Sequence, residues 1–103
     1  MIRPAIPEMT SPANLALKDW AAAMQAQLQQ RLQATQLEVI DESFKHAGHA
    51  GANGQGFGTH FRVRVASPLF TQLPRLARHR LVYDALQDFL DQGVHALAIE
   101  LLQ

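Results

Sequence analysis

The sequence predicts an α+β fold in which a small three-stranded mixed sheet carries helices on one face. Two segments alternate apolar and polar residues on either side of a glycine-rich stretch, which is typical of a β-hairpin with a long loop. Two further segments repeat apolar residues every three or four positions, and a third alternating segment follows the second of them. The order is α-β-β-α-β, with a short extra helical turn before the second main helix.

The N-terminal part divides into a tail and a helix. Residues 1–13 contain three of the five prolines, which favours an extended tail, and residues 14–103 form a single domain because 103 residues leave no room for a second core. Asn14 is a suitable N-cap for a helix over residues 15–34. The apolar stripe that predicts this helix consists of Leu17, Trp20, Ala21, Met24, Leu28 and Leu32.

The hairpin follows this helix. Residues 37–43 alternate as a short strand, and residues 44–58 contain five glycines and no β-branched residue, which indicates a flexible loop. Residues 60–66 alternate again and predict a half-buried strand. Its predicted core face consists of Phe61, Val63 and Val65, and its predicted solvent face consists of His60, Arg62 and Arg64.

The remaining elements are a helix and a strand. Ser67 and Pro68 end the second strand and start a short turn, and residues 74–90 have the spacing of an amphipathic helix that stops before Gly93. Residues 94–102 alternate as the third strand, with one face formed by His95, Leu97, Ile99 and Leu101. The aromatic side chains of Trp20, Tyr83 and Phe89 are expected in the core.

Composition excludes several classes of function. Nine basic and nine acidic residues give a formal net charge of zero, which argues against a general polyanion binder. The absence of cysteine rules out disulfides and thiolate metal sites formed by this chain alone. No apolar run has the length of a signal peptide core or a membrane span, so a cytoplasmic location without membrane association is expected. No nucleophile–base spacing or phosphate loop is present, so we expect no enzyme.

The five histidines are the residues with the clearest chemical potential. His46 and His49 lie in the glycine-rich loop, and His95 opens the last apolar run, so a strand end and a loop offer imidazoles to one metal ion. From the residues alone, histidines in a glycine loop are more often solvent-exposed spacers than ligands. A histidine on the apolar face of a strand, as predicted for His95, is more often a hydrogen-bonded core residue.

Four segments resemble the BolA family in order and spacing: EVIDES, GTHFRVRVAS, LARHRLVYDAL and VHALAIELL. The resemblance covers residues 20–102. It implies a fold similar to the type II K-homology domain. It also implies a monothiol glutaredoxin partner, with which the chain shares a bridging 2Fe–2S cluster in iron–sulfur cluster trafficking or iron regulation.

The same resemblance implies the residues of the site. His95 matches the C-terminal ligand of the family, and His46 matches the ligand of the hairpin loop, with His49 as a possible substitute. Glutathione is supplied through the partner. No cluster is expected on the chain alone, which is expected to be a monomer or a weak homodimer.

The alternative function is a K-homology-like, DNA-binding transcriptional regulator. Five arginines fall in a stretch without acids, and arginine neutralises phosphates: Arg62, Arg64, Arg75, Arg78 and Arg80. K-homology domains clamp nucleic acid with a GXXG loop between two helices, however, whereas the spacing Gly51 to Gly54 lies in the hairpin loop here.

Overall fold

The computed structural model describes residues 12–46 and 56–103. Within them the predicted order of elements is confirmed, with short 3₁₀ turns between the main elements. The helices and strands are α1 (Trp20–Leu32), β1 (Gln36–Asp41), β2 (His60–Ala66), α2 (Arg75–Ala85), α3 (Gln87–Asp91) and β3 (Ala96–Leu101).

The sheet has the order β1-β2-β3. β1 pairs antiparallel with β2, and β2 pairs parallel with β3, so the mixed sheet of the predicted α+β fold is confirmed. The parallel register places His60 opposite Ala96, Arg62 opposite Ala98 and Arg64 opposite Glu100. The start of β2 and the start of β3 therefore lie at the same end of the sheet.

The hydrophobic core lies between the helices and one face of the sheet. The predicted inward residues of β2 are fully or almost fully buried there, together with Met24 and Leu28 of α1 and Val82 of α2. Trp20 packs edge-on against Phe89, with ring centroids 5.4 Å apart. Gln27 of α1 donates hydrogen bonds to the Ala85 carbonyl and to Asp88, which links α1 to the other two helices.

α1 also contacts the outer edge of the sheet. The amide of Val39 in β1 donates a hydrogen bond to Gln25 Oε1 on α1, at 3.3 Å. β1 is an edge strand, and an amide that points away from β2 has no strand partner. The glutamine of α1 supplies the acceptor that a neighbouring strand would otherwise supply.

The first helix starts later than the apolar spacing of three and four residues predicts. In the part of the chain that the structure describes, two 3₁₀ turns, Pro12–Asn14 and Leu17–Asp19, precede α1, and the N-cap of α1 is Asp19 rather than Asn14. Pro12 is buried. α1 ends at Leu32, and its C-cap residue, Gln33, takes the left-handed backbone (φ 52°) that glycine often supplies at this position.

The second predicted helix is two helices. α2 stops at Ala85, the backbone departs from helical geometry at Leu86, and α3 resumes for five residues. Leu86 itself is fully buried in the core. Tyr83 was expected in the core but is 38% exposed, and its hydroxyl points to the Leu97 carbonyl at 3.4 Å.

No helix in the described residues is long and apolar enough to cross a bilayer.

Candidate functional site

His95 lies at the end of the sheet where β2 and β3 begin. It precedes β3, is exposed, and therefore does not belong to the core face that the alternation predicts for it. Its backbone is held firmly: the amides of His95 and Ala96 both donate to the Thr59 carbonyl, at 2.7 and 3.1 Å. Because His95 lies before the first residue of β3, the alternation of the strand does not apply to it, and its imidazole is accessible to a ligand or partner.

His60 lies beside His95, which the sequence did not indicate. The expectation of a solvent-exposed His60 is wrong, because the residue is 8% exposed. Its ring centroid is 5.3 Å from that of His95, with the two planes tilted by 52°. The Nδ1 atom of His60 and the hydroxyl of Thr59 share a hydrogen bond of 2.8 Å. Two imidazoles thus meet at one end of the sheet.

Ser43 fixes the backbone beneath these rings. Its buried hydroxyl accepts hydrogen bonds from the amides of Thr59 and His60, at 2.9 and 3.0 Å, and donates to Asp41. The Glu42 amide donates to the His60 carbonyl at 2.8 Å. The run Asp41–Ser43 therefore ties the end of β1 to the start of β2 across the base of the hairpin loop.

The two ends of the loop are positioned by the same network. The Ser43–His46 segment is a 3₁₀ turn rather than flexible loop, and the Gly58 amide donates to the second carboxylate oxygen of Asp41 at 3.1 Å. Gly58 has a φ of 83°, which favours glycine, and a Cβ there would lie 2.7 Å from Leu17 Cδ2, so a larger residue would displace that methyl group.

Of the predicted loop ligands, His46 ends this turn and His49 lies outside the described residues. Ser43, three residues before His46, and the backbone of His95 both bond to Thr59. The turn that carries His46 and the residue that carries the exposed imidazole are therefore anchored to the same point.

Acidic partners surround the sheet arginines. Arg62 bonds to Glu42 at 3.1 Å and to Glu100 at 2.8 Å, and Arg64 bonds to Glu38 at 3.1 Å and lies 3.5 Å from Glu100. The hydrogen bond from Arg62 lowers the pKa of Glu42 and opposes the effect of its burial, while Glu42 and Glu100 raise the pKa of Arg62. The predicted basic face of β2 is thus compensated by acids of both neighbouring strands.

The arginines of α2 have a different environment. Arg78 donates to the Leu73 and Gln103 carbonyls, which fixes its side chain against the backbone. Arg75 and Arg80 are exposed and form no ion pair with any described residue. The five candidate arginines therefore divide into a compensated pair on the sheet and a partly uncompensated group on the helix.

Two exposed aromatic residues flank the loop. Phe44 is 64% exposed and Phe57 is 46% exposed, and Lys45 Nζ lies 5.9 Å from the centre of the Phe44 ring. The two aromatic residues lie on either side of the loop, next to the end of the sheet that carries the histidines.

Neither His60 nor Ser43 stood out in the sequence as a site residue. Alternation correctly groups His60 with Arg62, but the contact with His95 depends on the parallel register of β2 and β3, which alternation does not specify. A signal for Ser43 was present: an Asp-x-Ser motif directly after a strand is suited to local side-chain-to-backbone hydrogen bonds.

These features define a class of protein: a small α+β domain whose three-stranded mixed sheet presents histidines at one end, beside a long hairpin loop. A family model described as BolA-like protein matches residues 28–103. The chain belongs to the BolA family.

Curated relatives agree with this assignment. The chain is 41% identical over 93 residues to the chloroplastic protein BOLA1 of Arabidopsis thaliana, covering 89% of this chain and 58% of that protein. It is 47% identical over 79 residues to mouse BolA-like protein 1, covering 77% of this chain and 54% of the relative. The chain therefore spans somewhat more than half the length of these relatives.

Solved structures agree with the fold. The BolA domain of SufE1 from Arabidopsis thaliana superposes with a TM-score of 0.72 at 40% identity, covering 84% of this chain and 93% of that domain. BolA1 from the same plant superposes with a TM-score of 0.67 at 42% identity, covering 79% and 87%.

Proposed function

We propose that the chain is a BolA-like, non-catalytic adaptor that pairs with a monothiol glutaredoxin and binds a bridging 2Fe–2S cluster through histidine. The cluster is cargo in iron–sulfur trafficking or iron regulation, in a cytoplasmic setting. The observation that carries the proposal is the exposed imidazole of His95 at the end of the sheet, beside the turn that ends at His46. The amides of His95 and Ala96 fix the backbone there by donating to the Thr59 carbonyl.

The donor set fits a shared cluster. Imidazole is an acceptable ligand for iron, as in Rieske centres, but thiolates hold the other iron there. This chain has no cysteine, so the thiolates must come from the partner and its glutathione. His95 would serve as one ligand, and His46 or His49 as the second.

The surface around His95 supports docking of a partner. Phe44 and Phe57 expose aromatic area beside the loop, and a partner that covers this area removes it from water. The Asp41–Ser43 network holds both ends of the loop. A partner could thus bring its own ligands to His95 without rearrangement of the sheet.

The test is copurification of the full chain with a monothiol glutaredoxin under iron–sulfur reconstitution conditions. The wild-type pair should form a coloured heterodimer whose visible absorption and circular dichroism differ from those of the glutaredoxin alone. His95→Ala should lose that spectrum, whereas Gln92→Ala, an exposed neighbour on the same connection, should retain it. A heterodimer spectrum unchanged by His95→Ala would overturn the ligand assignment.

The loop ligand is tested separately. His46→Ala and His49→Ala should differ, because only the ligating residue should alter the spectrum. Phe44→Ala should weaken heterodimer formation without changing the spectrum of the complex that remains, since it removes contact area and no ligand.

DNA binding is the second candidate, and it is favoured by Arg75 and Arg80, which are exposed and lack acidic partners among the described residues. Affinity for duplex DNA should then fall steeply with salt. The double variant Arg75→Ala/Arg80→Ala should reduce the affinity far more than Arg62→Ala/Arg64→Ala, because the latter pair is already compensated.

A further inference from the structure

We propose that His60 and His95 together bind one divalent transition-metal ion, of which Cu²⁺ is the strongest candidate, on the chain alone. The site goes beyond the cluster function: it needs no glutaredoxin, no sulfide and no residue of the hairpin loop. It shares His95 with the proposed cluster site, so the two ligands compete for one imidazole.

The separation of the rings matches a shared ion. Two imidazoles bound to one tetrahedral ion at nitrogen–metal distances of about 2.0–2.1 Å place their ring centroids roughly 5 Å apart. The centroids of His60 and His95 are 5.3 Å apart, and their planes are tilted by 52° rather than stacked. In the proposed site, the exposed side chain of His95 rotates so that both rings converge on one ion.

The His60 ring is already held as a ligand would be. Metal-binding histidines usually donate their second ring N–H to an oxygen, which fixes the tautomer and the orientation. The Nδ1 atom of His60 lies 2.8 Å from the Thr59 hydroxyl, and both residues are buried. When Nδ1 donates this bond, Nε2 is the basic nitrogen of the ring and the ligating atom.

The backbone of both histidines is fixed before any metal arrives. The His60 amide donates to Ser43 Oγ at 3.0 Å, and the His95 amide donates to the Thr59 carbonyl at 2.7 Å. Binding therefore costs the ordering of little more than one exposed side chain, and such preorganisation favours chelation. The exposure of His95 gives the ion a path from solvent.

The donor set selects the metal. Imidazole nitrogens suit Cu²⁺, Ni²⁺ and Zn²⁺, and affinity for a given nitrogen site is greatest for Cu²⁺ among the divalent ions of the first row. The described residues contain no group of three or more histidine, aspartate or glutamate side chains placed to hold a metal. Two imidazoles and water therefore complete the coordination, and the ion remains exchangeable.

The experiment uses the full chain without glutaredoxin. Cu²⁺ is titrated while continuous-wave EPR records the nitrogen couplings, and isothermal titration calorimetry records affinity. We expect one ion per chain and couplings from two imidazole nitrogens. His95→Ala and His60→Gln should each weaken binding about tenfold or more, whereas the matched control His79→Gln, on α2, should leave it unchanged.

Two further measurements keep the proposal open to contradiction. His60 is buried, so thermal melting of His60→Gln establishes that this variant is folded. In the NMR spectrum of the wild type, Ni²⁺ should broaden the ring resonances of His60 and His95 together. This measurement does not depend on any variant.

Coupling from a single nitrogen, undiminished affinity in His60→Gln, or loss of binding in His46→Ala or His49→Ala alone would overturn the site. These results concern the isolated chain, so they are independent of whether the glutaredoxin complex forms.

Discussion

The two ends of β2 are both held by a buried serine, but the two serines hold different things. Ser43 accepts from the two amides that begin β2 and donates to Asp41, so it closes the base of the hairpin loop. Ser67, just after β2, accepts from the Leu69 amide and donates to the Leu32 carbonyl at the end of α1. The first joins loop to strand, and the second joins helix to strand.

The two serine hydroxyls differ in the residues that surround them. Around Ser67 the neighbours are elements of the core, with Phe70 buried nearby, so this end is architectural. Above Ser43 lie two imidazoles and the ends of a long loop. A buried, hydrogen-bonded hydroxyl therefore supports core packing at one end of β2 and positions candidate ligands at the other. We expect substitution of either serine to lower stability, but only substitution of Ser43 to lower metal affinity.

The largest expected effect is that of Ser43→Ala. It leaves the buried amides of Thr59 and His60 without their acceptor, and each unsatisfied group costs on the order of 1–3 kcal/mol. We expect the free energy of unfolding to fall by about 3 kcal/mol. Urea denaturation measures this, and Cu²⁺ affinity should fall with it because the His60 backbone loosens. Unchanged metal affinity in the folded variant would remove the link between the serine and the histidines.

Gly58→Ala should follow in size. The residue has a φ of 83° and its Cβ would overlap Leu17, so we expect a loss of about 2 kcal/mol. Gly56→Ala is the matched control, because Gly56 has a φ of 79° but open space around it. A difference between the two variants in thermal or urea unfolding measures the contact with Leu17. That difference should shrink when Leu17→Ala is combined with Gly58→Ala.

Ser67→Ala tests the opposite end of β2. It removes the acceptor of the Leu69 amide and the donor to the Leu32 carbonyl, at a cost of about 1–2 kcal/mol in unfolding free energy. Because this serine lies among core elements, Cu²⁺ affinity and the glutaredoxin spectrum should be those of the wild type. If either changed as it does in Ser43→Ala, the two ends of β2 would not be functionally distinct.

The smallest expected effect is the pH dependence contributed by Glu42. Its pKa is held below the ordinary value of 4.5 by the hydrogen bond from Arg62, so the folded state favours the carboxylate. The stabilisation is present above the unfolded pKa and is lost as pH falls through the lower, folded pKa. The midpoint of urea unfolding should therefore be higher for the wild type than for Glu42→Gln at pH 6. The two midpoints should converge well below pH 4.5. Glu38→Gln, whose side chain is 54% exposed, should have a smaller effect at pH 6.

Much of the fold was readable from the sequence because local patterns determine it. Alternation located β2 at its observed bounds, and spacings of three and four located α1 and α2. The break at Leu86 was not readable, since a buried leucine fits a helical stripe equally well whether or not the helix continues.

The site was less readable because it depends on contacts between distant segments. His95 and His46 were identified by resemblance, and their roles as ligands stay predictions. The contact between His60 and His95 depends on the parallel register. His95 lies just before β3 and is exposed, although alternation places it on the core face. The partners of Arg62 and Arg64 were hidden for the same reason, because the acids that compensate them belong to the neighbouring strands.

The hydrogen bond between Gln25 and Val39 has a consequence for how copies of this protein behave at high concentration. An edge strand with open amides is a template on which a strand of another molecule can add. In β1 the central amide of the edge is occupied by a helix side chain of the same molecule. Gln25→Ala should therefore leave the fold intact and raise the tendency to aggregate. The Gln25 side chain thus hinders the addition of a strand from another molecule to β1.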